Sequence, residues 1–179
     1  MKIHLQTPED IRSQIWKELG RASLDRHHEW RTPVLASADA GGLPDARTVV
    51  LRQVDAQAGQ LTFYTDSRSP KVTQLQAQAQ AMLVFWSARL SWQLRVRVAC
   101  TAITSGPEVE VLWQAVKQSA AAGDYLSPLP PGTVLPPDRG TADPADAHAP
   151  THSFALLRAQ VLQMDWLELS RDGHRRAQL

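Results

Sequence analysis

The sequence predicts a mainly β protein with flanking helices, built as a small antiparallel meander or barrel. Three observations carry this expectation. Segments rich in β-formers recur at close spacing: "TPVLASAD" (Thr32 to Asp39), "ARTVVLRQVD" (Ala46 to Asp55) and "LTFYTD" (Leu61 to Asp66). Gly-containing turns, "AGGLPD" and "AQAGQ", separate them, as in consecutive antiparallel strands. In "SWQLRVRVACTAI" (Ser91 to Ile103), Leu94, Val96 and Val98 alternate with Arg95 and Arg97, the pattern of a sheet with one wetter face.

The elements follow in chain order. Thr7 suits a helix N-cap and Pro8 the first helical position, with Asp10 placed to close a capping box. Ile11, Ile15, Trp16 and Leu19 then mark one helical face, so a helix is expected over about residues 8–24. "DRHHEWRT" breaks that pattern. After the first three strand segments, "SRSPKVTQLQAQAQ" reads as a short helix capped by Ser69, with Pro70 first and Val72, Leu75 and Ala79 facing inward. "AMLVFWSA" (Ala81 to Ala88) and Ser91 to Ile103 are two further strands. "GPEVEVLWQAVKQSAAA" returns to helical period at Val109, Leu112, Trp113 and Val116. A Pro-, Gly- and Asp-rich segment over about 126–153 reads as a long irregular loop. "FALLRAQVLQMDWLELS" is a long strand region, followed by a basic tail, "RDGHRRAQL", where a last strand is expected and none is read.

Composition narrows the function classes. The 179 residues suit one domain, 1–179. Lys plus Arg (19) nearly balance Asp plus Glu (18), which argues against a dedicated nucleic-acid binder. The single Cys100 excludes an intramolecular disulfide and reads as a small core residue of a reducing compartment. "MKIHLQTPED" lacks the features of a secretory signal, and no apolar run approaches the ~20 residues of a membrane helix, so a cytoplasmic protein without membrane contact is expected. The six histidines show no metal-ligand spacing, and no metal site is expected.

The candidate chemistry begins with two arginines. An ideal strand places Arg47 and Arg52 on opposite faces, because their separation is odd. They reach one ligand only if the strand bends or the ligand lies at a strand end; otherwise each snorkels to water. Further on, a helix beginning at Ser69-Pro70 offers unpaired N–H groups to an anion, with Arg68 just before it and Lys71 in its first turn.

The order of these features resembles the pyridoxamine 5′-phosphate oxidase family of FMN-binding split barrels, from about Thr32 to Ile103 and more weakly from Phe154 to Arg176. The resemblance implies an antiparallel split β-barrel with FMN as cofactor. Arg47 and Arg52 match the ends of the family's R-x-x-x-x-K/R strand, and Thr48, Val49, Val50 and Leu51 between them would offer backbone groups to the flavin ring. Tyr64 and Thr65 match its Y-T pair, Lys71 the second basic residue of the helix start, and Gln93 in "WQLRV" the flavin-contacting glutamine. Pro70 replaces the first basic residue, for which Arg68 would compensate. Arg175 and Arg176 resemble FMN-contacting residues near the family's C-terminus, or form a solvated tail.

Departures accompany the matches. The oxidase's Tyr, Arg, Ser substrate pattern is absent from "VLWQAVKQSAAAGDY", and "GHRRAQL" differs from its R-x-H ending. The resemblance therefore implies an FMN-dependent oxidoreductase with an unidentified small-molecule substrate, homodimeric with FMN at the interface. Two alternatives stay open: a non-catalytic flavin or cofactor binder acting as carrier or sensor, and a barrel that stacks single-stranded nucleic acid on its six tryptophans.

Overall fold

A computed structural model describes residues 6–134 and 152–179. Most of the expected 126–153 loop lies outside them. Helix α1 (Pro8–Leu24) starts as read: the Thr7 side chain accepts the Asp10 N–H, and the Asp10 carboxylate accepts the Thr7 N–H. Ile11, Ile15, Leu19 and Ala22 bury one face, and Glu18 is buried among them. "DRHHEWRT" holds a short 3₁₀ turn, Glu29–Arg31, that drives Trp30 fully into the core.

The sheet comprises β1 (Val34–Ala38), β2 (Pro44–Thr48), β3 (Leu51–Asp55), β4 (Gln60–Asp66), β5 (Gln80–Ser87), β6 (Trp92–Ile103), β7 (Phe154–Glu168) and β8 (Arg175–Gln178). Every pairing is antiparallel. The order is β2-β1-β5-β6-β7-β4-β3, with β8 on the far half of β7. The segment read as one strand, "ARTVVLRQVD", is therefore two. Strands β2 and β3 form opposite edges of the sheet, and Val49 and Val50 carry the chain across the split between them. The run lacks a Gly or Pro to mark that break; burial supplies it, since Val49 and Leu51 both enter the core.

The basic tail also contains structure. In β8, Arg175 lies opposite Glu168 and pairs with it, and Arg176 pairs with Asp165. Each positive side chain thus finds a carboxylate on β7, which makes a short polar edge strand stable there.

The core inside the sheet includes Leu35, Leu51, Phe63, Leu83, Phe85, Leu94, Val96 and Trp166, sealed at one side by α1 and Trp30. Each fully buried Leu or Phe contributes roughly 1.5–3 kcal/mol by leaving water. Helices α2 (Pro70–Ala77), α3 (Pro107–Val116) and α4 (Gly123–Leu126) flank the sheet. Ala79 falls beyond the end of α2, where its carbonyl accepts the Cys100 N–H. Val109, Trp113 and Val116 of α3 pack with Tyr125, Phe154 and Leu156 in a second, smaller core. Cys100 is buried, and burial pushes its thiol up to about 12. Among the described residues no helix is long and apolar enough to cross a membrane.

Candidate functional site: a cationic cradle at the start of α2

Strand β2 and helix α2 bring Arg47 and Lys71 together. Arg47 lies opposite Leu35 on β1, so its side chain shares the inward face with Leu35 and Ser37. There its guanidinium donates to Ser37 Oγ (2.6 Å), to Gln74 Oε1 on α2 (2.8 Å) and to the Asp45 carboxylate. Lys71 Nζ donates to Thr65 Oγ1 (3.1 Å) and Ser69 Oγ (2.6 Å), which ties the first turn of α2 to the end of β4. Ser69, the N-cap, makes no side-chain cap bond, and Pro70 has no N–H. Burial first, and the nearby Arg47 charge second, hold the Lys71 pKa below its ordinary value, against the opposing pull of Asp66 and Asp45. Two half-buried cations facing a helix N-terminus form a donor set suited to a phosphate monoester.

Of the other expected residues, Thr65 joins the cradle through Lys71, whereas Arg52, Arg68 and Gln93 make their contacts elsewhere. Arg52 sits at an irregularity of the β3–β4 ladder, where the register passes from Leu51↔Phe63 to Gln53↔Thr62. Such a bulge re-aims one side chain. The Arg52 guanidinium lies 5.3 Å from the centre of the Tyr64 ring, and its buried Nε has no hydrogen-bond partner. Burial raises the pKa of the Tyr64 and Tyr125 phenols, and the nearby Arg52 charge opposes that shift at both. Arg68 is committed elsewhere. Its Nη2 binds Asp66 Oδ2 at 2.7 Å and the Ser127 carbonyl at 3.0 Å.

Thr48 is exposed at the end of β2, Val49 is buried and Val50 half-buried in the crossing, and Leu51 is fully buried at the start of β3. The Val49 N–H is taken by the Pro33 carbonyl at 3.0 Å. Gln93 alternates with buried Trp92 and Leu94, so it faces outward, between Trp86 on β5 and Leu167 near the far end of β7. Thr65 pairs with Ala155 at the near end of β7, so a single chain does not bring Gln93 to the cradle. Arg175 and Arg176 lie in β8 on that same far half.

Three cradle residues, Asp45, Ser37 and Gln74, did not emerge from the sequence. The spacing of two held the signal: Asp45 shares a strand face with Arg47, and Gln74 lies one helical turn after Lys71. Ser37 is a polar residue at a buried position of β1.

An open antiparallel barrel, split between two edge strands and carrying a cationic rim, defines an FMN-binding split-barrel fold. A sequence model of the pyridoxamine 5′-phosphate oxidase FMN-binding domain matches residues 13–104. The chain belongs to that family. It is 46% identical over 93 residues to the pyridoxine/pyridoxamine 5′-phosphate oxidase of Maricaulis maris, a match covering 52% of this chain and 40% of that protein. The chain thus spans less than half the length of that relative. A pyridoxamine 5′-phosphate oxidase-related, FMN binding protein of Nostoc punctiforme superposes with a TM-score of 0.67 at 27% identity, covering 97% of this chain and 91% of that one. PhzG from Burkholderia lata, solved with tetrahydrophenazine-1-carboxylic acid, superposes with a TM-score of 0.69 at 20% identity, covering 99% and 93%, a likeness of fold.

Proposed function

We propose that the chain is an FMN-binding flavoprotein that works as an oxidoreductase on a small substrate. The observation that carries this reading is the placing of two cations beside the first turns of α2: Lys71 within the first turn, and Arg47 held by Gln74 near enough to act on the Lys71 charge. The residues present fit the cofactor's phosphate. Arg47 presents a planar guanidinium already oriented by Ser37 and Gln74, and Lys71 a point charge. Charge-assisted bonds contribute about 1.5–3 kcal/mol each, so three give roughly 5–9 kcal/mol gross before the cost of association. Residues Thr48 to Leu51, spanning the split, supply the main chain nearest the ring. FMN, when bound, supplies a hydride acceptor; the chain supplies binding, orientation and exclusion of water.

The outward direction of Gln93 supports a homodimer, in which Gln93 of one copy completes the site of the other. Its neighbours on that face include Val34 and Trp86, both exposed, with Val84 between them and Met82 beyond Val84. A small barrel cannot enclose a flavin alone, and two such faces can.

The test is a visible spectrum of the purified chain after addition of excess FMN and removal of what stays free. Retained flavin that is lost in an Arg47→Ala, Lys71→Ala double variant supports the site. No retained flavin in the unaltered chain rejects it. Reduction of the retained flavin by NADH or NADPH, followed by reoxidation with oxygen, separates an enzyme from a carrier.

A further inference from the structure

We propose that Asp45 is an internal stand-in for the phosphate: its carboxylate holds the Arg47 guanidinium and must be displaced by an incoming phosphate monoester, so Asp45 sets how tightly phosphorylated ligands bind. The inference rests on the cradle being the phosphate site.

Three features of the network carry it. First, Arg47 does not depend on Asp45 for its place. Ser37 Oγ and Gln74 Oε1 hold it at 2.6 and 2.8 Å, and Ser37 itself donates to Gln74 Oε1 at 2.7 Å. Second, the two partners differ in freedom. The Arg47 side chain is 19% exposed and the Asp45 side chain 47%, so the carboxylate can turn into water while the guanidinium stays. Gln74 Nε2 donates to the Asp45 carboxylate at 2.8 Å, a charge-assisted bond that is the second tether on Asp45 besides Arg47. Third, Asp45 is the movable carboxylate of the site. Asp66, the other one acting on Lys71, is 4% exposed in its side chain and held by Arg68 through both oxygens.

An anion that takes the Arg47 donors meets Asp45 as a like charge at close range, where repulsion is strong in a half-buried site. Binding therefore exchanges one anion for another, and part of the gain from the new bonds is offset by the loss of the old one. The same exchange confers selectivity. A ligand with no anionic group, such as riboflavin, does not displace Asp45 and is indifferent to it.

The experiment titrates the full chain and its Asp45→Asn and Asp45→Ala variants with FMN, riboflavin and inorganic phosphate, by calorimetry. Both variants are expected to bind FMN and inorganic phosphate more tightly, by about fivefold, the strength of a partly exposed ion pair, with riboflavin affinity unchanged. FMN binding that is unchanged or weaker in both variants overturns the inference and leaves the flavin reading standing, because Asp45 then only orients Arg47 or does nothing. If FMN never binds but both variants gain affinity for inorganic phosphate, the stand-in holds and the flavin reading fails. If neither ligand binds any of the three proteins, both are overturned.

Discussion

Lys71 Nζ stands 3.1 Å from Thr65 Oγ1 while the Arg47 charge and burial together lower its pKa. Burial and the Arg47 charge disfavour the ammonium, and an anion bound beside it would favour it. The sign follows directly. Only protonated Lys71 attracts a phosphate, so affinity is full below the lowered pKa and is lost as pH rises through it, before the 10.5 of an ordinary lysine. Titrations with FMN across alkaline pH should show that fall. Lys71→Met should weaken binding at neutral pH by about tenfold or more and flatten the profile. A fall that persists in Lys71→Met would assign it to another group.

Arg47 and Arg52 should behave differently, although they end the same motif. Arg47→Ala removes a guanidinium that Ser37 and Gln74 hold within electrostatic reach of Lys71, and should cost FMN affinity about tenfold to a hundredfold, the equivalent of one charge-assisted contact. Arg52 lies over the Tyr64 ring beyond a bulge. Arg52→Ala should leave FMN affinity within about threefold. Equal losses in the two variants, measured by fluorescence titration, would return Arg52 to the phosphate.

The legible parts of this chain are those fixed by neighbours in sequence. Thr7 and Asp10 cap α1 across one turn, Ser69-Pro70 opens α2, and the alternation of Trp92 to Cys100 fixes which face of β6 is buried. Lys71 was readable because a helix start and its first turn are local. What stayed hidden depends on distant partners. The break at Val49 and Val50 exists because β2 and β3 join opposite edges of the sheet, a demand that no turn residue announces. Gln74 reaches Arg47 across 27 positions, and β8 forms because Asp165 and Glu168 on β7 neutralise it. Arg68 offered a local warning, since Asp66 two residues earlier takes its guanidinium.

Glu18 shows the same limit and makes a stability prediction. It lies on the buried face of α1, its side chain 1% exposed, and accepts from His28 Nε2 and Arg89 Nη2 at 3.0 Å each, and from Gln14 and Arg21. His28 Nδ1 accepts the Trp30 N–H, which leaves Nε2 as the proton-bearing nitrogen that faces Glu18. Burial alone would raise the Glu18 pKa; the His28 hydrogen bond and the Arg89 and Arg21 charges outweigh it, and the net shift is downward. A depressed carboxylate stabilises the fold above its unfolded value of 4.5 and loses that contribution as pH falls through the folded value. Glu18→Gln should destabilise the chain at pH 7 by about 1–3 kcal/mol in urea unfolding, with the difference from wild type shrinking toward pH 3.5. A constant difference across that range would remove the carboxylate charge from the explanation.

The outward face of the sheet yields the last prediction. Val34 and Trp86 are 37% and 47% exposed, and Val84 lies between them as the ladder neighbour of Val34 on the next strand. Gln93 pairs with Trp86 on one side and with Leu167 on the other, so the apolar patch runs directly into the residue expected to touch the flavin. Exposed apolar side chains that adjoin a ligand residue are best explained by a second copy covering both. Wild-type protein should then sediment at twice its 19.8 kDa chain mass. Trp86→Glu places a charge at the centre of that contact, where it has no partner, and should shift the species to monomer at micromolar concentration. Flavin retention should fall with it, while the thermal melt stays cooperative because Trp86 contributes little to the core. A Trp86→Glu chain that stays dimeric, or becomes monomeric and keeps its flavin, would separate the patch from the site and leave Gln93 without a role in binding.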